Sequence, residues 1–107
     1  MSNVIEVNDS NFEAEVINSP VPVPVLVDFF GDHCGPCRLL KPVLVALAES
    51  LGDSVKIVTV DVATNERLVS DYRISAVPTL IVFKEGKEFH RMVGLKDMKY
   101  LKEALAV

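Results

Sequence analysis

The sequence has no tryptophan, and it has no lysine or arginine before Arg38. A secretory signal opens with basic residues ahead of an apolar run, and a mitochondrial presequence is rich in arginine. Residues 1–37 offer neither, so the chain as written reads as cytoplasmic. No apolar stretch approaches the roughly 18 residues of a transmembrane helix, so no membrane partner is expected. Positive charge is scarce overall: 11 basic against 15 acidic side chains leave a net charge of −4. Such a chain is poorly suited to general nucleic-acid binding, and no nucleic acid is expected as a partner. The charge is uneven, −6 over residues 1–53 and +2 over residues 54–107. There is no internal repeat and no polar linker. With 107 residues, half of them hydrophobic, the chain predicts a single domain over 1–107 that builds its own core.

Cysteine is nearly absent as well. The two that exist, Cys34 and Cys37, are too close in sequence to staple distant parts of a fold, so they point to catalysis or metal binding. A structural zinc needs about four ligands. The chain holds two Cys and two His in all, with His33 next to the pair and His90 on a distant strand, so no metal is expected.

What is present alternates between strand and helix patterns, the sign of an α/β domain. Val4–Val7 predicts a short strand. Asn8 or Asp9 could cap a first helix carrying Phe12 and Val16, and Ser19–Pro24 is an extended, Pro-rich approach. Val25–Phe30 is almost continuously apolar, like a central strand buried on both faces, with Asp28 as its one polar residue. After the Cys34–Cys37 segment, Leu39, Leu40, Val43, Leu44, Leu47 and Leu51 keep helical spacing. Pro36 suits the first helical turn, Pro42 should kink the helix, and Gly52 is a stop. Val55–Val62 predicts a strand, Asn65–Tyr72 a short helix and Thr79–Phe83 another strand. Lys84-Glu85-Gly86-Lys87 forms a hairpin turn, with Glu88–Val93 returning antiparallel. Asp97 caps a last helix with Met98, Leu101, Ala104 and Leu105 on one face. Three strands linked by helical crossovers should be parallel, and the hairpin adds an antiparallel edge.

The motif Cys34-Gly35-Pro36-Cys37 lies between a buried strand and a helix. The unpaired N–H groups and dipole of a helix start favour a thiolate at the first cysteine, and the second lies one turn along, close enough for a small disulfide ring. Two merely buried cysteines remain the plainer alternative. Asp28, in an apolar run, should be desolvated and its pKa raised. From spacing alone, a catalytic carboxylate and one that only bonds backbone are about equally supported.

The chain resembles the thioredoxin family over nearly its whole length. The resemblance rests on Val27-Asp28-Phe29, Cys34-Gly35-Pro36-Cys37, Pro42, Val77-Pro78-Thr79, Gly86 and Val93-Gly94. It implies a three-layer α/β/α thioredoxin fold, with a central mixed five-stranded sheet and four helices. It also implies a protein thiol–disulfide oxidoreductase, acting as a dithiol reductant of protein disulfides in cell redox homeostasis. Cys34 would be the nucleophile and Cys37 the resolving cysteine, with a reversible Cys34–Cys37 disulfide and no bound cofactor. Asp28 would assist proton transfer at Cys37. Disulfide-containing proteins would be substrates, a thioredoxin reductase would restore the dithiol, and the protein would be a monomer. Val77-Pro78 would be cis, although in general only about 5–6% of X–Pro bonds are. Gly35, Pro36, Ala76, Val77, Pro78, Val93 and Gly94 would form the substrate-docking patch.

Three residues depart from the family pattern. His33 stands where tryptophan usually precedes the first cysteine, and Phe30 stands at a second usual tryptophan. Thr59 takes the place where many members carry lysine beside the buried Asp. His33 is either a solvated loop residue or a group that tunes the thiolate. Two other readings stay open, a thiol oxidant or isomerase and a non-enzymatic binding module.

Overall fold

Strand β2, Val25–Phe30, is buried along nearly its whole length, and the other strands are laid down on either side of it. The computed structural model describes residues 3–105. The remaining strands are β1 (Val4–Glu6), β3 (Lys56–Asp61), β4 (Thr79–Lys84) and β5 (Lys87–Val93), in the spatial order β1-β3-β2-β4-β5. β1 and β2 both pair parallel with β3, whereas β4 is antiparallel to β2 and β5 antiparallel to β4. The helices are α1 (Gly35–Leu51), α2 (Glu66–Asp71) and α3 (Met98–Leu105), with a π-helical turn at Glu13–Ile17 and a 3-10 turn at Gly52–Ser54. The helical segment before β4 does not make that strand parallel. β4 adds to the side of β2 away from β3, running in the opposite direction.

Alternation along the strands sorts side chains into two cores. Leu26, Ile57, Leu80 and Val82 face α1 and α3, where they meet Leu40, Leu44, Leu47, Leu101 and Leu105. Val25, Val27, Phe29, Val58 and Phe83 face the other way, against Phe12, Val16 and Leu68. The result is three layers, helix on both faces of a mixed five-stranded sheet, as the resemblance implies.

The first helix differs from expectation. Asn8 does not cap a regular α-helix. Its Oδ1 accepts from the N–H groups of Ser10 and Asn11 at 2.9 and 3.1 Å, closing a tight turn. The helical stretch that follows is wide, with Asn18 N–H donating to Glu13 O at 2.7 Å, five residues back. Asp9 caps a different helix. Its Oδ1 accepts from Leu68 N–H at 3.1 Å in α2. Asn65, just ahead of α2, accepts from Asp9 N–H at 2.8 Å and donates to Asp61 O at 2.8 Å.

The β4–β5 hairpin turns on Glu85 and Gly86, both at positive φ (52° and 76°), as a two-residue turn matched to strand twist requires. Phe89 is extra in β5, because Val82 pairs with His90 while Phe83 pairs with Glu88. A Cβ on Gly86 would lie 2.6 Å from Ile17 O, so the hairpin tip packs on the π-helical turn only because residue 86 has no side chain. Gly86→Ala is therefore expected to destabilise the fold by roughly 1–3 kcal/mol through backbone strain and this clash. Urea unfolding would measure it, with a loss below the error of the method counting against the close approach.

Candidate active site

The polar chemistry of the α1 side lies in one register row across the sheet. Val4, Ile57, Leu26 and Val82 form an apolar row on that face. The next row toward the C-terminal ends of the parallel strands reads Glu6, Thr59, Asp28, Leu80. Where the row turns polar, packing against α1 gives way to a cavity of about 280 Å³. Asp28, Thr59, Cys37, His33, Arg38 and Lys41 are among its lining residues.

β2 ends at Phe30, and the chain turns through Gly31, Asp32 and His33 into α1. His33 makes this turn with φ at +56°, a left-handed conformation that non-glycine residues seldom adopt. Cys34 is the N-cap of α1, and Pro36 sits in the first turn. Cys34 and Cys37 form a disulfide with Cα atoms 5.2 Å apart. Cys37 N–H donates to Cys34 Sγ at 3.1 Å, placing a helix-start donor on that sulfur. In this disulfide form both cysteines are buried, 8% and 7% exposed, so exposure does not distinguish them. Their surroundings differ instead. Cys34 Sγ lies 3.8 Å from Val77 O, while Cys37 lines the cavity that holds Asp28.

Asp28 is 3% exposed, and its Oδ1 has no hydrogen-bond partner. Burial pushes its pKa from the ordinary 3.8 to about 7, because the apolar surroundings disfavour the charged form. Thr59 is its direct neighbour on β3, so no cation reaches Asp28 from that strand. Arg38 and Lys41 reach the same cavity from α1. The reading from sequence did not single them out, although Lys41 follows Cys37 at i+4 on the helix.

The Val77-Pro78 bond is cis. Gly31 lets this loop close on the turn, since a Cβ there would meet Val77 Cγ2 at 3.2 Å. Thr79 Oγ1 donates to Ala76 O at 2.6 Å, and Gly94 N–H donates to Pro78 O at 2.9 Å. These bonds bring the Ala76–Pro78 loop and the end of β5 together beside the disulfide. Val77 N–H has no hydrogen bond among the described residues. Pro36, Ala76 and Val93 are exposed, whereas Pro78 is buried beneath them. Among the described residues no group of His, Cys, Asp and Glu could hold a metal ion.

The model of the thioredoxin family matches residues 3–107. A thioredoxin of Porphyra purpurea is 38% identical over 103 residues, which are 96% of this chain and 94% of that protein. Thioredoxin 1 of a Nostoc species is 39% identical over 105 residues, 98% of this chain and 96% of its own. A thioredoxin of Chlamydia trachomatis is 53% identical over a shorter stretch of 73 residues, 68% of this chain and 71% of its own.

The raised pKa of Asp28 makes stability depend on pH with a definite sign. Between about pH 4 and pH 7 the folded protein holds a proton at Asp28 that the unfolded chain has lost. Stability at this site is therefore fully present below pH 4 and falls as pH rises through about 7. The upper limit of that loss is on the order of 4 kcal/mol. Asp28→Asn removes the titrating group, so it is expected to gain stability relative to the parent from pH 4 to 7 and to hold that gain above. Paired urea midpoints across this range check it, and a parent that gains on the variant as pH rises would contradict it.

Proposed function

The chain belongs to the thioredoxin family, and on that premise we propose that it is a cytoplasmic, monomeric dithiol reductant of protein disulfides with distinct roles for its site residues. Family membership makes it a protein thiol–disulfide oxidoreductase with the thioredoxin fold. Its substrates are disulfide-containing proteins, and a reductase restores its dithiol. Its two electrons are carried by the Cys34–Cys37 pair. No described helix is long and apolar enough to cross a membrane. Both cysteines and Asp28 come from one chain, so the reading needs no second copy. One domain over residues 1–107 suffices, a reading supported by the single sheet that both cores share.

In this reading the Cys34 thiolate attacks one sulfur of a substrate disulfide. The substrate S–S bond breaks, its other sulfur leaves as a thiolate and takes a proton, and a mixed disulfide joins Cys34 to the substrate. Asp28 takes the proton of Cys37, whose thiolate then attacks Cys34 Sγ. The mixed disulfide breaks, and the reduced substrate leaves with two electrons. The Cys34–Cys37 bond holds the oxidised product.

The carrying observation is the unequal setting of the two sulfurs. Cys34 Sγ receives the Cys37 N–H and faces the Val77 carbonyl, where a substrate strand could dock. Cys37 shares its cavity with Asp28, and a pKa of about 7 suits a carboxyl that both takes and returns protons near neutrality. Gly35, Pro36, Ala76, Val77, Val93 and Gly94 form the docking patch, and Pro78, expected among them, is buried and shapes the loop from within. The unbonded Val77 N–H supports this, since it leaves a donor for an extended substrate backbone.

Turnover tests the reading: the protein should reduce insulin disulfides when a chemical reductant is supplied, and Cys34→Ser should abolish that activity. Cys37→Ser should accumulate a mixed disulfide with insulin on non-reducing gels, whereas Cys34→Ser should not. Equal trapping by both variants would refute the assigned roles.

His33 adds a charge question to this chemistry. An imidazolium in the turn before Cys34 would favour its thiolate. Iodoacetamide alkylation of Cys34 is therefore expected to shift to higher pH in His33→Gln. Superimposed profiles from pH 4 to 9 would leave His33 with no electrostatic role.

A further inference from the structure

A carboxylate that ionises inside a protein needs a counter-charge or water, and the lining of the Asp28 cavity shows which side can supply the charge. On β3 the neighbour is Thr59, and on β4 it is Leu80, neither of them charged. β1 contributes Glu6, an exposed acid in the same register row, which opposes a second negative charge. The turn before α1 contributes Asp32 and His33. Only α1 brings permanent cations, Arg38 and Lys41. Cys37, Lys41 and Leu44 all line the cavity and recur at i, i+4 and i+7, so they share one helical face. Lys41 is exposed and forms no ion pair among the described residues, so its long side chain is uncommitted. The cavity's 280 Å³ also leaves room for bridging water between an ammonium at the mouth and the unpartnered Asp28 Oδ1.

We propose that Lys41 is the positioning cation of this site: its ammonium turns over the cavity mouth as Asp28 ionises, and it steadies the carboxylate that is to take the Cys37 proton. Lys41 touches neither reacting sulfur in this scheme. It acts through Asp28, from the helix side of the cavity, opposite the strand on which Thr59 supplies no charge. No bond forms or breaks at Lys41. The proton passes from Cys37 to Asp28, and Lys41 stays protonated throughout. The inference rests on the role proposed above for Asp28, and its test separates the two.

The test follows two readouts in the full chain: the titration midpoint of the Asp28 carboxyl by carbon NMR, and the pH profile of resolution. Resolution is read as release of a short cysteine peptide from its mixed disulfide with Cys34. In Lys41→Met the Asp28 midpoint should rise by about half a pH unit, and resolution near neutrality should slow about threefold, the size of a partly solvated charge interaction. Lys41→Arg should restore most of both. Glu6→Gln should move the midpoint the opposite way. In an Asp28→Asn background, Lys41→Met should no longer change the rate. An unmoved midpoint in Lys41→Met overturns the proposal, as does a shift produced by Arg38→Gln in its place. An equal slowing by Lys41→Met in the Asp28→Asn background overturns it too. If Asp28→Asn does not slow resolution, the reading of Asp28 fails by itself, and the midpoint still decides whether Lys41 is its counter-charge.

Discussion

The hydrogen bond from Cys37 N–H to Cys34 Sγ, 3.1 Å long, ties the redox chemistry to the start of one helix. Four N–H groups at a helix start have no partner within the helix, and here one of them is directed at a sulfur. The bond depends on local sequence. Pro36 has no N–H to offer and fixes the first turn. It also depends on the core, because α1 is held to the sheet by Leu40, Leu44 and Leu47. A shift of that helix would move both sulfurs and the donor together.

The second constraint opposes the first. The same face that binds α1 through apolar rows must carry Asp28, whose charged form the surroundings disfavour. The register resolves the conflict in space. One row, with Leu26 and Ile57, is dry and packed, and the next, with Asp28 and Thr59, opens to the cavity. Stability and proton chemistry thus occupy adjacent rows of the same strands. In a parallel sheet the ends of the strands are where side chains can meet a helix start and solvent together, and the polar row lies toward that end.

Much of this was legible in the sequence. The central strand with its lone Asp28, the long helix after Cys37 and the hairpin at Glu85-Gly86 follow from hydrophobic period, turn residues and motif, and the place of Thr59 beside Asp28 from the family resemblance. What escaped was set by contacts distant in sequence. Asn8 and Asp9 look alike as caps, but Asp9 bonds a helix 59 residues away, a choice that only packing makes. The wide turn at Glu13–Ile17 keeps Phe12 and Val16 in the core, where helix propensity is a weak prior. β4 pairs antiparallel with β2, a direction set by pairing across the sheet and not by any pattern within the strand. No motif singles out Lys41 or Glu6, and only the fold places both on the lining of the Asp28 cavity.

The face of the sheet opposite the site explains why that carboxyl stays where it is. Phe12, Phe29, Tyr72 and Phe83 pack ring to ring, with centroids 5.5 to 6.2 Å apart. Phe29 is the chain neighbour of Asp28, so the side chain that locks β2 from below is covalently next to the one that strains it from above. A carboxyl in an apolar strand could relieve its desolvation by letting the strand end fray toward water. Fraying here would have to pull Phe29 out of the ring cluster, and burial of a phenyl ring contributes up to about 3 kcal/mol. That is comparable with the penalty on the carboxylate, so Asp28 responds to its setting by holding its proton while the strand keeps its place. The aromatic core, which has no part in the chemistry, is thereby what makes a near-neutral carboxyl possible on the other side of the sheet.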